Sequence, residues 1–327
     1  MGERARRWKN LMGRVLLLPV SFLGVGLYRA WLSIFFRYGA YPGMDVSDYA
    51  LFEVCIGIAC LAAAYWWRKI VPLWSNNRIL ILAGAGMVVG SIACAIWSFA
   101  LPLVLIKHIG LAIAGVGLGI AILVWCEFYG ALNPMRVALY HAASIFFGEM
   151  LCCFFMAVKP EGLVAMSVVL PVLSLWWARR AVLTLPEDDR PQVQTKLHAH
   201  NIPWKPIALM ATCTFATGFT ALPDQPIVLG NITGAGFACL LVFFGSLSTS
   251  RWFNFDTIYR VAFPLMIVGL LLVMPLLERA PQLTAACYDA GYTMLSMFIM
   301  IILSNITYRF GLNSIWLNGI ERGIRYL

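Results

Sequence analysis

Four ionisable side chains, Arg29, Glu53, Glu149 and Asp289, stand inside otherwise apolar runs. A charge in hydrocarbon is expensive, so such residues face one another or a wet cavity and mark ion pairs, proton relays or ligand sites by default. Counting back from Arg37 at about 1.5 Å per residue, Arg29 lies roughly 12 Å inside its run, and Glu53 about 8 Å inside the next. Similar depth on successive helices predicts an Arg29–Glu53 ion pair, which either fixes helix register or takes part in binding. Glu149, in Phe147-Gly148-Glu149-Met150, lies nearer mid-run and has no partner in view, as a proton-linked site would require. Asp289 lies about 10 Å into the last run, flanked by Tyr288 and Tyr292. Glu149 and Asp289 alternatively bond a neighbouring backbone or serine group. Thr214, Thr217 and Thr220 recur at helical spacing in a later run, and Asn231 and Thr233 follow in the next. With Tyr292 and His108 they outline a polar pocket open to the outer face, whose mixed charge suits a small zwitterion or acid. His108 alternatively belongs to an outer turn.

Catalytic patterns are lacking. The chain has no H-E-x-x-H, no G-x-S-x-G and no glycine-rich loop closing on Lys-Ser/Thr. His198 and His200 fall in a polar loop, where solvation is the simpler reading than metal ligation. All nine cysteines lie in apolar runs without paired loop spacing, which argues against a disulfide framework. Nothing points to an enzyme, a cofactor or a metal.

The elements that must carry these residues are membrane spans. The chain is 61% hydrophobic and 12% charged, against about 45–50% and about 25% in ordinary soluble domains. Its apolar runs approach the ~20 residues that cross the hydrocarbon layer. The sequence predicts an all-α polytopic protein of ten spans, at 11–36, 47–67, two within 78–125, 135–158, 162–177, 207–222, 226–247, 255–277 and 283–306. The turn inside 78–125 lies at Pro102 or at Lys107-His108. Gly84, Gly86, Gly90, Gly110, Gly115, Gly117 and Gly119 recur there, and small residues let helices approach closely, so this pair should pack inside the bundle. The organisation is a six-helix half (1–180), a polar linker loop (181–206), a four-helix partial second half (207–306) and a tail (307–327). That tail is either a short interfacial helix or the start of an eleventh.

The basic start of the chain lacks a cleavage-like site and reads as a retained first helix. Placing the N-terminus in the cytoplasm puts about 19 of the 24 basic residues on that side, Arg322 and Arg325 included, as the positive-inside rule requires. The bias accounts for the net charge of +9 without nucleic acid. The expected partners are the lipid bilayer and a small-molecule ligand, with no direct nucleic-acid contact by this chain. The expected location is the bacterial cytoplasmic membrane.

Six spans, a loop and a second apolar half resemble the layout of the major facilitator superfamily (MFS). The chain is similar in particular to the membrane portion of actinobacterial LuxR-type regulators, which join a facilitator-like domain to a DNA-binding helix-turn-helix. The residues carrying this likeness are Tyr28-Arg29-Ala30-Trp31, Trp125 with Phe128-Tyr129-Gly130 before Asn133-Pro134, and the closing Arg309-Phe310-Gly311, Trp316 and Gly319-Ile320. The resemblance implies that spans one, two, four, five, seven, eight, ten and eleven line a central cavity. It also implies that the last two spans and the helix-turn-helix are missing, as in a truncated regulator. The transporter pattern Gly-x-x-x-Asp-Arg/Lys-x-Gly-Arg/Lys is absent from the Arg68–Arg78 loop. A membrane sensor of a small ligand is the leading expectation, and a secondary transporter, proton-coupled through Glu149, is the alternative.

Overall fold

The computed structural model describes residues 19–191, 203–218, 228–247, 260–262, 264–265, 267–268 and 280–327, with the side chains of 188, 215–218 and 228 set aside. The described chain is a helical bundle. After a single 3-10 turn at Val20–Leu23, α1 runs Gly24–Phe36, α2 Val46–Tyr65, α3 Asn77–Phe99, α4 Val104–Gly130, α5 Pro134–Phe155 and α6 Pro160–Leu183. Then come α7 (Trp204–Gly218), α8 (Val228–Leu247), α9 (Pro281–Phe310) and α10 (Ser314–Tyr326). Seven of these, α2 to α6, α8 and α9, are long and apolar enough to cross a membrane, so the chain is a multi-pass membrane protein. Most of the expected ninth span, 255–277, lies outside the described residues, as do Thr220, His198 and His200.

Local chemistry sets the helix ends. Asp45 and Asp48 close a capping box on α2, each side chain accepting from the other's backbone N–H, at 2.9 and 3.0 Å. Asn133 caps α5 ahead of Pro134, and Asn313 caps α10 by accepting from the Trp316 N–H at 3.0 Å. Gly311, at φ 63°, adopts the left-handed conformation that stops α9. Between α3 and α4 the break falls at Leu101–Leu103, around Pro102. Lys107 and His108 are therefore helical and not the turn.

Close helix approach is built on small residues. Gly117 meets Ala83 and Met87 across the α3–α4 seam, and Gly115 and Gly119 of the same helix face Phe52, Cys55, Ile56 and Ala59 of α2. This makes α4 the central helix, as the glycine pattern predicts. Its partner α3 is half-buried and turns Ile81, Leu82, Val89 and Ile92 outward, so the expectation that both pack inside holds for α4 alone. Hydroxyls pin the apolar core where indoles cross it: Trp31 Nε1 donates to Ser91 Oγ at 3.1 Å, and Trp125 Nε1 to Ser174 Oγ at 3.2 Å. Exposed Tyr65 and Trp66 stand at the end of α2, and exposed Trp176 lies about two turns before the end of α6, the amphipathic chemistry of a membrane–water boundary.

The segment expected as a short interfacial helix or the start of an eleventh forms helix α10. It packs along α2, with Gly319 against Cys60 and Ala64 and Gly323 against Leu61, and it also touches α4, α7 and α9. Ser314, Asn318, Glu321, Arg322 and Arg325 are all buried. Two arginines counted as a cytoplasmic tail are thus inside the protein, and α9 continues to Phe310 and not to 306.

Candidate functional site

A cavity of about 140 Å³ lies between α1, α2, α4, α5, α9 and α10. Helix α1 contributes Arg29 and Arg37, α2 Glu53, α5 Glu149, α9 Tyr292, and α10 Arg322 and Arg325. Apolar surface from Leu32, Phe52 and Ile56 completes the wall. Arg29 and Glu149 are placed by a close helix contact. A Cβ on Gly26 would come within 2.2 Å of the Ser144 carbonyl, so α1 and α5 touch backbone to backbone one turn from Arg29 and Glu149. Ser144 Oγ also accepts from the Gly26 N–H at 3.0 Å, an intact helix-to-helix bond in the core.

The ion pairs differ from those expected. Arg29 Nη2 donates to Glu149 Oε1 at 3.4 Å, so Arg29 pairs across to α5 and not with Glu53 on α2. Glu149, expected to be unpartnered, therefore has a partner. Glu53 instead lies beside Tyr49, one turn back, and within the field of Arg325. Asp289 sits 3.9 Å from Arg37, at the edge of the cavity, and holds that guanidinium from behind.

On α10 the two arginines and Glu321 form one buried cluster. Arg322 Nε lies 3.2 Å from Glu321 Oε2, and Arg325 Nη1 lies 3.9 Å from Oε1. Neither approach has hydrogen-bond alignment, and both Glu321 oxygens are buried without a hydrogen bond among the described residues. Arg325 also donates to the Tyr292 hydroxyl, reaches Ser296 Oγ at 3.4 Å, and stacks 5.1 Å from the Tyr292 ring centroid. Around the cavity, Arg29 Nε, Arg325 Nε and Glu149 Oε2 are buried without hydrogen-bond partners among the described residues. Native proteins rarely leave such atoms unmatched, because each costs about 1–3 kcal/mol, and a bound molecule or ordered water is the usual explanation.

Other candidate residues fall elsewhere. His108 is near the start of α4, where its Nε2 lies 3.5 Å from Asp48. Asp48 is fully buried and also receives Lys107 Nζ at 2.7 Å. This is an ion cluster at one end of the bundle, apart from the cavity. Asn231 is half-buried on α8 and does not line the cavity. Thr217 lies on α7, and its side chain is outside the described residues. Thr214 is buried on the same helix and donates to the Met210 carbonyl at 2.9 Å, an intrahelical bond.

Sequence reasoning missed Arg322, Arg325 and Glu321. The available signal was the tail itself: within thirteen residues its charges fall on one side of the helix, among small and apolar residues. A surface reading was natural because the segment is too short to span. Glu127 was also missed. It is buried at the end of α4 and accepts from the backbone N–H groups of Leu73 and Trp74 at 3.2 and 2.9 Å, tying down the α2–α3 connection. No protein-family model matches the chain, and no curated protein matches it in sequence.

Proposed function

We propose that this chain is a non-catalytic membrane sensor module that binds a small polar solute in the cavity among α1, α2, α4, α5, α9 and α10. One observation carries the reading: helices from the beginning, middle and end of the chain converge ionised and partly unsatisfied side chains on one cavity. A structural ion pair needs two helices, not six. Convergent charged groups in a partly apolar pocket are the default mark of a binding site.

The arrangement we infer is the facilitator layout, with ten spans followed by α10 in the position of an eleventh helix. In support, the cavity draws on the helices that the sequence counts as spans one, two, four, five and ten, together with the tail helix. These are spans which that layout assigns to the cavity wall. We place the N-terminus in the cytoplasm of a bacterium, with the cavity toward the outside. A ligand that prefers one packing of the early and late helices would shift the population toward it. Helix α10, which touches α2 and α4 as well as α7 and α9, is the element that would feel the shift.

Transport is the second reading. The Arg29–Glu149 pair joins two helices deep in the bundle, where rocking-bundle transporters place coupling groups. Against it stands the α2–α3 connection, whose backbone Glu127 holds from within α4 and which lacks the transporter pattern. Purified protein in proteoliposomes decides between the two. With a broad panel of polar solutes, the sensor reading expects solute-dependent thermal stabilisation without accumulation. Saturable, gradient-driven uptake of the stabilising solute would establish the transporter instead.

A further inference from the structure

We infer that the cavity takes a small zwitterion, its carboxylate held by Arg322 and Arg325 of α10 and its ammonium group by Glu149 and Glu53. The inference rests on the cavity being a ligand site and names the class of ligand.

Three physical constraints lead there. The first is charge. The cavity wall carries four arginines against two glutamates, and the excess is balanced from behind by Asp289 on Arg37 and by Glu321 on the α10 arginines. The set as a whole is neutral. A lone anion or cation brought into it would carry an uncompensated charge into a low-dielectric interior, at heavy desolvation cost. A zwitterion adds no net charge.

The second is the placement of unused hydrogen-bonding capacity. Arg322 and Arg325 are three residues apart, hence on one face of α10, and Glu321 is aligned with neither of them. The Arg325 terminal nitrogens already reach Tyr292 and Ser296, but Nε of both arginines carries no hydrogen bond among the described residues, and guanidinium forks match planar carboxylates, so the pair suits an acidic group. Across the space, Arg29 engages Oε1 of Glu149, and Oε2 is buried without a donor among the described residues. An ammonium group would supply that donor. The third is size. A cavity of about 140 Å³ falls well below the roughly 300–1,000 Å³ of sites for drug-sized ligands, so the occupant has few heavy atoms.

The test uses the full chain in lipid nanodiscs. Calorimetric titration would be run with α- and ω-amino acids, each beside its deaminated acid and its decarboxylated amine. At least one zwitterion is expected to bind roughly tenfold or more tightly than both of its single-charge counterparts. Arg322→Gln and Arg325→Gln are each expected to weaken that zwitterion roughly ten- to a hundredfold and to remove its advantage over the amine. Glu149→Gln should remove the advantage over the acid. Melting temperatures verify that each variant folds, and Ser296→Ala, which trims a neighbour of Arg325 without touching charge, should weaken binding only a few-fold.

A counterpart acid, amine or neutral solute that binds as tightly as every zwitterion overturns the inference and leaves the sensor reading in place. Failure of every zwitterion to bind overturns it as well. If the broad solute panel also leaves the melting temperature unmoved, the sensor reading falls with it.

Discussion

Arg29 had two carboxylates within reach along the sequence, and the packing of α1 on α5 gave it Glu149. The pair is unequally buried: the Glu149 side chain is 5% exposed and that of Arg29 is 29%. Removing one member of a fully buried pair costs about 3–5 kcal/mol. Because Arg29 retains access to the cavity, Glu149→Gln should fall at the low end of that range or below it. The double variant Arg29→Gln/Glu149→Gln should lose less stability than the two single losses added together, as a double-mutant cycle of thermal melts would show. The Asp48 cluster predicts a harsher outcome. Asp48→Asn leaves Lys107 in a site where the lysine side chain is 8% exposed, and the full cost of about 3–5 kcal/mol is expected. Part of the lysine's interaction survives in its stacking 4.8 Å from the Trp97 ring centroid. His108→Ala should cost far less, since that ring is 45% exposed and exposed pairs contribute about 0–1 kcal/mol.

At the scale of elements, glycine decides where helices meet. A methyl group on Gly234 would lie 2.1 Å from the Ala286 carbonyl oxygen, and one on Gly26 would lie 2.2 Å from that of Ser144. Both obstacles are backbone, which cannot rotate away, so Gly234→Ala and Gly26→Ala must push whole helices apart. Each is expected to destabilise by at least the roughly 1–3 kcal/mol of an overpacked core, read as a fall in melting temperature. Gly236→Ala is the matched control on the same helix. Among the described residues its added methyl meets only Phe146, at 4.0 Å, and stability should change by less than about 0.5 kcal/mol. The glycines of α3 and α4 signal such a seam from sequence because they recur on long apolar runs. Gly319 and Gly323 do the same for α10 against α2. That seam was not legible, because the segment ends in Glu321, Arg322 and Arg325 and reads as polar.

At the scale of the molecule, the helices make a bundle whose outward side chains, such as Ile58, Ile81, Leu82, Phe154 and Val169, are large and apolar, and lipid is the solvent they fit. The proposed orientation predicts a labelling pattern in a cysteine-free background. Single cysteines replacing Arg68 or Arg179 should react with a membrane-impermeant maleimide only after the cells are opened. A cysteine at Lys159 should react in intact cells, and the reverse pattern would invert the topology. A cysteine at Arg325 separates the buried tail helix from an interfacial one. It should resist labelling from either side and become protected further when a ligand fills the cavity.

Composition and run length alone determine that this chain is helical and crosses a membrane several times, because backbone polar groups in hydrocarbon must be satisfied within each segment. The same one-dimensional reading finds Arg29, Glu53, Glu149 and Asp289 as residues that must face inward, since the penalty for a charge in lipid does not depend on its partner. Partner choice does depend on the fold. Arg29 with Glu149, Arg37 with Asp289, and Asp48 with Lys107 are set by which helices adjoin and at what rotation. The fate of residues 314–326 was beyond the sequence for the same reason. A short helix bearing three charges is stable in an interior only where other helices already supply a polar cavity, and that cavity exists only once the chain has folded.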